Sequence, residues 1–332
     1  MSFKGRIRDL LNIPLKRVGH TIIPEGTLYE WQKPGTKPGH SASEPPRGAA
    51  EYLVNDNPRL VDLKARYAAF DKAVTTPLIW TDEHLSSEEM LYFRGDNPYV
   101  WQVRQAGINI MAYALTTYYL QSIDHLGLME KLVEDDHFGA YTFDVAEKKV
   151  SRDLLDSIAE IYFLEKHLGI SSHADLSVLD IGAGYGRLAY RMVSALPNID
   201  RYLCTDAFPK STFISEYYIR FRDVDKAKVV PLDEIEQALS RATVNLAINI
   251  HSFSECRIEA IDWWVSLLAK HHVQYLMIVP NSDALETNDG IDFTTVINSH
   301  GYQLKAKEPK YRDTIVQQCG VNPAYHYLFE LR

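Results

Sequence analysis

Ser177-Val178-Leu179-Asp180-Ile181-Gly182-Ala183-Gly184-Tyr185-Gly186-Arg187-Leu188 spells out a strand, a glycine turn and the start of a helix without a gap. The apolar run ends in Asp180, and glycines hold every second position from Gly182 to Gly186. Helical spacing resumes at Leu188, Met192 and Leu196 until Pro197 stops it. Glycines at such a βα turn let the backbone take positive φ and let a ligand come closer than a Cβ would permit. The helix behind them aims its free N–H groups at that ligand. A nucleotide pocket is therefore expected. The dinucleotide fingerprint G-x-G-x-x-G is not met, because Arg187 stands where its third glycine belongs. An acid directly before the glycines, as Asp180 is, suits a cationic ligand rather than a pyrophosphate.

Downstream, Tyr202-Leu203-Cys204-Thr205-Asp206 reads as a second short strand ending in an acid, 26 positions after Asp180. That placement suits a carboxylate gripping both ribose hydroxyls of a nucleoside. Together these features resemble motif I and the strand after it in class I S-adenosylmethionine-dependent methyltransferases, and the segment from about Leu176 onward fits that family. The resemblance implies S-adenosyl-L-methionine as cofactor, held by Asp180, Gly182, Gly184, Tyr185, Gly186, Asp206 and Ala207, with Asn249 at its methionine end.

The composition is that of an ordinary soluble globule: 332 residues, 46% hydrophobic, 24% charged. A net charge of −9 and the lack of a Lys/Arg stripe exclude a general nucleic-acid binder. Cys204, Cys256 and Cys319 are far apart and follow no metal-ligand spacing, so a reducing cytoplasm is the expected setting. The first residues are basic (Lys4, Arg6, Arg8, Lys16, Arg17), but Pro14 and Lys16 interrupt any h-region, so they do not form a secretory signal; weak contact with a membrane surface is a minor alternative. Gln105 to Ile123 carries no charge, yet Asn109, Thr116, Thr117 and Gln121 break its apolar character. A buried or subunit-contacting helix is expected there rather than a span.

Taken in order, residues 1–50 contain Pro14, Pro24, Pro34, Pro38, Pro45 and Pro46, which predict an extended arm, one that could wrap a partner in a homodimer. Residues 51–170 read as a mostly helical cap, and the family resemblance implies that such a cap shapes the acceptor pocket. It holds a helix from Pro58 through Leu60, Leu63 and Tyr67, another containing the uncharged segment and running to about Val133, and a third opened by Ser151 and stopped by Gly169. Residues 171–332 alternate strand and helix, which predicts an α/β domain with a mainly parallel sheet covered on both faces and ligands at the carboxyl ends of its strands. The family resemblance makes this a seven-stranded Rossmann-like sheet with an antiparallel terminal strand.

Asn249-Ile250-His251-Ser252-Phe253-Ser254-Glu255 ends the fourth of these strands, the position that in class I methyltransferases faces the sulfonium methyl. This string, with the glycine turn, Tyr99-Val100-Trp101-Gln102 and Ser151-Arg152-Asp153-Leu154-Leu155-Asp156-Ser157-Ile158, resembles the sugar O-methyltransferase family. Moving a methyl from sulfonium to alcohol is an in-line displacement, so alignment supplies much of the barrier reduction. A sugar hydroxyl is nearly un-ionised at neutral pH, and a general base adds about 10²- to 10⁴-fold. His251 is the candidate base. Glu255 either orients the imidazole or closes a Ser252-x-x-Glu255 capping box. Ring stacking and short polar groups in Tyr92-Phe93-Arg94-Gly95-Asp96-Asn97-Pro98-Tyr99-Val100-Trp101 suit a saccharide, with Tyr92, Arg94 and Trp101 as candidate acceptor contacts. A divalent metal is not favoured, since among Asn249, His251 and Pro280-Asn281-Ser282-Asp283 only Asp283 is an acid. The expected acceptor is a small molecule or oligosaccharide. A methyltransferase for a non-sugar natural product, or a non-catalytic cofactor-binding partner subunit, is the alternative.

Overall fold

The computed structural model describes residues 3–18, 20–24, 43–97, 99–100 and 110–332. Before the main sheet come helices α1 (Phe3–Lys16), α2 (Pro58–Ala69), α3 (Ile110–Ile123) and α4 (Arg152–Leu168), with a small antiparallel hairpin of β1 (Phe143–Val145) and β2 (Lys148–Val150) between α3 and α4. The chain then alternates through β3 (Leu176–Ile181), α5 (Arg187–Ala195), β4 (Ile199–Thr205), α6 (Pro209–Phe221), β5 (Ala227–Val229), β6 (Leu246–Ile250), α7 (Ile258–Lys270) and β7 (Tyr275–Val279). It closes with β8 (Tyr302–Pro309) and β9 (Tyr325–Leu331).

These last strands form one seven-stranded sheet in the order β5-β4-β3-β6-β7-β9-β8. Its β3, β4, β5, β6 and β7 pair in parallel, and β9 runs antiparallel to both β7 and β8. A mainly parallel seven-stranded sheet with helices on both faces and one late antiparallel strand is the Rossmann-like methyltransferase fold. The period of two along each strand divides the core. Val178, Tyr202, Cys204, Leu246, Ile248 and Met277 meet α3, α4 and α5 on one face. Leu179, Ile181, Leu203, Ala247, Leu276 and Ile278 meet α2, α6 and α7 on the other. Register sets Ile181 beside Thr205 and Asn249, so the turns after β3, β4 and β6 leave the sheet at one level.

The arm differs from expectation. Residues 3–16 are helical, because Ile7, Leu10 and Leu11 recur at helical spacing and Pro14 removes a hydrogen bond only in the last turn. Residues 25–42, which hold two more of the prolines behind that expectation, lie outside the described residues. The helix of the uncharged segment stops before the expected end near Val133: α3 ends at Ile123 and a separate turn, Leu128–Lys131, follows Gly127 at φ 69°. The β1–β2 hairpin has no Asn-Gly or Asp-Gly signal; Ala146 and Glu147 take positive φ at its turn instead.

Candidate active site

The glycine turn leaves β3 and is closed by the neighbouring strand. Gly182 and Ala183 donate their N–H groups to the Thr205 carbonyl at 2.9 and 3.1 Å. Gly184 N–H donates to Asp206 Oδ2 at 3.0 Å, and Phe208 N–H to Asp206 Oδ1 at 2.8 Å, so this carboxylate fastens the two turns together. Gly182 sits at φ 70°, and a Cβ built there would lie 2.2 Å from both Cβ and Oγ of Ser252. Only glycine fits that approach.

Around this turn lie two joined cavities, about 190 and 280 Å³, that share Trp80, Gly182, Asp206, Phe208, Ser252 and Glu255. The first reaches Tyr99, Arg152, Asp156, Asp180, Tyr185 and His251; the second runs past Ala207 to the segment around Pro77 and to Trp264. Five carboxyl groups line the first cavity, those of Asp153, Asp156, Asp180, Asp206 and Glu255. Its two guanidinium groups are internally matched: Arg187 donates to both oxygens of Glu160 at 2.9 Å, and Arg152 to Asp156 at 3.2 Å. Asp156 is matched by Arg152 and Lys310, so it is the remaining carboxyls of this lining that suit a cation. Burial lifts Asp180, which accepts from the Tyr202 hydroxyl at 2.9 Å, to about 7, and it lifts Asp206 to about 7 as well.

His251 follows β6 with φ 66°, an uncommon conformation for a non-glycine residue. Its N–H donates to the Val279 carbonyl at 2.7 Å, and its Nδ1 is buried with no hydrogen-bond partner among the described residues. Burial, then the guanidinium of Arg152 and the charges of Arg187 and Lys310, lower the imidazole to about 3, against a partial offset from Asp156. It is neutral at physiological pH.

Of the expected site residues, Asp180, Gly182, Gly184, Tyr185, Asp206, His251 and Glu255 come together at the first cavity, and Ala207 lines the second. Others do not. Gly186 packs against Ile219 and Ser215 at the start of α5. Asn249 is fully buried: its Nδ2 donates to the Ile181 carbonyl at 2.9 Å and its Oδ1 accepts from Phe253 N–H at 2.9 Å, so it braces the turn and does not line either cavity. Glu255 neither orients His251 nor caps a helix. Its Oε2 accepts from Trp80 Nε1 at 2.7 Å and its Oε1 from Asn281 Nδ2 at 3.2 Å, while Ser252–Glu255 is a single 3₁₀ turn without a side-chain cap. Burial raises the Glu255 carboxyl.

Among the acceptor candidates, Arg94 is fully buried between Glu134 at 2.6 Å and Asp135 at 2.9 Å, with its Nε 3.9 Å from Asp153; it stands one layer behind the cavity wall. Tyr92 is half-buried and away from both cavities, and Trp101 lies outside the described residues. The stretch reaches the cavity further along, where Asn97 Oδ1 accepts from the N–H groups of Tyr99 and Val100 in an Asx turn that presents both residues. Sequence reasoning missed Trp80 and Phe208, and it quoted Arg152, Asp153, Asp156 and Asn281 only within longer strings, with no place in this cavity. A signal existed for part of this set: Arg152, Asp156 and Glu160 recur every fourth residue on α4, whose first thirteen residues are buried. Among the described residues no three His, Cys, Asp or Glu side chains group as a metal site.

No family model matches the sequence, and no curated protein matches it. Solved structures with a similar fold include a magnesium protoporphyrin IX methyltransferase from Synechocystis PCC 6803 with bound S-adenosylmethionine: 11% identity, 55% of this chain and 83% of that one, TM-score 0.39. A S-adenosylmethionine-dependent methyltransferase from Aquifex aeolicus is 13% identical over 52% of this chain and 89% of that one, with TM-score 0.39. Mitomycin 7-O-methyltransferase is 14% identical over 54% and 57%, with TM-score 0.37.

Proposed function

We propose that this protein is an S-adenosylmethionine-dependent O-methyltransferase whose acceptor is a hydroxyl of a sugar or glycosylated small molecule. One observation carries the reading: a glycine turn with room for no Cβ opens onto a cavity of five carboxyl groups, at the carboxyl ends of a Rossmann-like sheet. The residues fit the cofactor. Asp180 and Asp206 offer carboxylates to a cation and a ribose, and Ala207 and Phe208 offer an apolar wall to a flat base in the second cavity. When bound there, S-adenosylmethionine supplies an electrophilic methyl on a cationic sulfur whose charge is discharged as the methyl moves.

The chain's own part is alignment and proton acceptance. Trp80, Tyr99 and Phe208 bring aromatic faces to the first cavity, and Asn281 and His251 bring directional polar groups, a combination suited to a saccharide ring. His251 takes the hydroxyl proton. Its neutral state at physiological pH leaves a lone pair free, and the low basicity that burial imposes is tolerable because positioning carries most of the rate.

Calorimetry with S-adenosylhomocysteine tests the cofactor, and an acceptor screen with glycosides and non-sugar alcohols tests the substrate. With the acceptor found, His251→Ala is expected to lower kcat by about 10²-fold, the low end for a general base because this one is weak, with cofactor affinity within a few-fold of the parent. Turnover near the parent's would remove His251 from the mechanism without touching the cofactor assignment.

A further inference from the structure

Helix α1 is inside out for a helix on a soluble protein. Ile7, Leu10, Leu11 and Pro14 share one face by i, i+3, i+4, i+7 spacing, and that face points outward: Leu10 is 67% exposed, Leu11 50% and Ile7 43%. The polar side points in. Asn12, only 5% exposed, donates through Nδ2 to the Ile22 carbonyl at 2.9 Å and accepts from Ile22 N–H at 2.6 Å. Arg8 lies over the Tyr118 ring of α3, 5.5 Å from its centroid. Ile23, next to the strap that Asn12 grips, packs on the core, so the orientation of α1 is anchored and not incidental. Further apolar side chains, Ile13, Val18 and Ile22, are exposed beside it.

A helix containing Gly5 and Pro14 has poor intrinsic propensity, and packing of an apolar face is what normally stabilises such a segment. Here, among the described residues, none is recorded packing on that face. Lys4 and Arg8 border it on one side and Arg6 on the other, with Lys16 and Arg17 at its end and Asp9 the only acid. Among the described residues no carboxylate pairs with Lys4, Arg6 or Arg17. Arg8 is taken up by Asp9 and Tyr118, which leaves Lys4, Arg6, Lys16 and Arg17 as four cations around an exposed apolar stripe, a basic patch on a chain of net charge −9.

The geometry points to a docking surface for a bilayer carrying anionic phospholipid. Leucine and isoleucine side chains would enter the boundary between head groups and acyl chains, while the long Lys and Arg side chains snorkel to the phosphates. A second copy of the chain is the poorer occupant, because a twofold pairing of this face would bring its cations against themselves. The negative charge of the lipid surface also holds the acidic body of the protein away, which favours contact by α1 alone.

The test is co-sedimentation of the full chain with vesicles of phosphatidylcholine mixed with phosphatidylglycerol, against pure phosphatidylcholine vesicles. The mixed vesicles should pellet the protein and the neutral ones should not, and raising the salt several-fold should release it. Arg6→Gln should weaken the partition about fivefold. Leu10→Gln with Leu11→Gln should weaken it about tenfold or more. Both changes lie on exposed positions, so circular dichroism and thermal melts should match the parent. Failure of the parent to pellet with anionic vesicles overturns the inference, as does undiminished pelleting of the double variant. A dimer in sedimentation velocity that Leu10→Gln with Leu11→Gln dissociates would also overturn it, in favour of a second copy on this face.

Discussion

Gly182 and Ser252 meet where the two cavities join, and this single approach decides whether a ligand can lie across both. In Gly182→Ala the new Cβ would face backbone and side chain of Ser252 while the residue holds a left-handed φ, a strain of about 1 kcal/mol or more. The variant should fold, melt lower and give no heat with S-adenosylhomocysteine. Adding Ser252→Gly removes the clash and leaves the φ strain, so binding should return in part; full recovery would show that the left-handed backbone contributes nothing. The two acids of this site predict a pH effect with a definite sign. Burial raises Asp180 and Asp206 to about 7, above their ordinary unfolded value, so the folded protein holds these protons more tightly than the unfolded chain does. Their contribution to stability is present below the unfolded value and is lost as pH rises through about 7. A cationic ligand favours the ionised carboxylates, so its binding should release protons and strengthen from about pH 6 to about pH 8. Calorimetry in buffers of different ionisation enthalpy reads the released protons directly; identical heats in all buffers would refute the assignment.

Helix α4 shows how far an element is legible in sequence and where legibility stops. Its caps were readable: Ser151 Oγ accepts from Leu154 N–H at 3.1 Å, and Gly169 ends it at φ 60°. Its apolar face was readable from period alone. The partners of its polar face were not, because Asp156 meets Lys310 and Asn322, more than 150 positions away, and periodicity says nothing about distant pairing. Asn249 differs for a local reason: it stands at the end of the right strand, but alternation turns Asn249 and Ile250 to opposite faces, and Ile250 is the one that reaches the cavity. Burial works to raise the Asp156 carboxyl, and Lys310 and Arg152 outweigh it and hold the group below the usual carboxylate range. Lys310→Met should therefore cost about 3 kcal/mol in urea unfolding, since it leaves a buried carboxylate half-compensated. Asp156→Asn in the same chain should recover much of that loss, and additive losses in the double variant would show that the pair is not coupled.

At the scale of the whole molecule, the cap and the sheet are not separable by burial. The core on one face joins Tyr113 and Leu120 of α3 and Leu154 and Ile158 of α4 to Val178, Leu246 and Met277 of the sheet. The other joins Leu60, Leu63 and Tyr67 of α2 to Phe213, Ile235 and Ile278. Tyr67 carries this down to a single side chain: its hydroxyl meets Thr212 Oγ1 at 2.9 Å and accepts from Leu232 N–H at 2.9 Å. Arg59 adds an ion pair to Glu216 of α6 at 2.6 Å. Strand and helix alternation after residue 176 foretold the sheet but could not show that helices before residue 170 complete both of its faces, because which helix covers which face is a matter of long-range packing. A chain that starts at residue 171 would expose the apolar surface that α2, α3 and α4 now cover, and burial of such surface is the main favourable term in folding. The fragment 171–332 should accordingly lack a cooperative melt and near-ultraviolet dichroism, while the full chain should unfold in one calorimetric transition with equal van't Hoff and calorimetric enthalpies. A cooperative melt of the fragment, or two transitions in the full chain, would instead make the cap a domain of its own, and the cavity wall that Tyr99 and Arg152 supply would then depend on how two bodies dock.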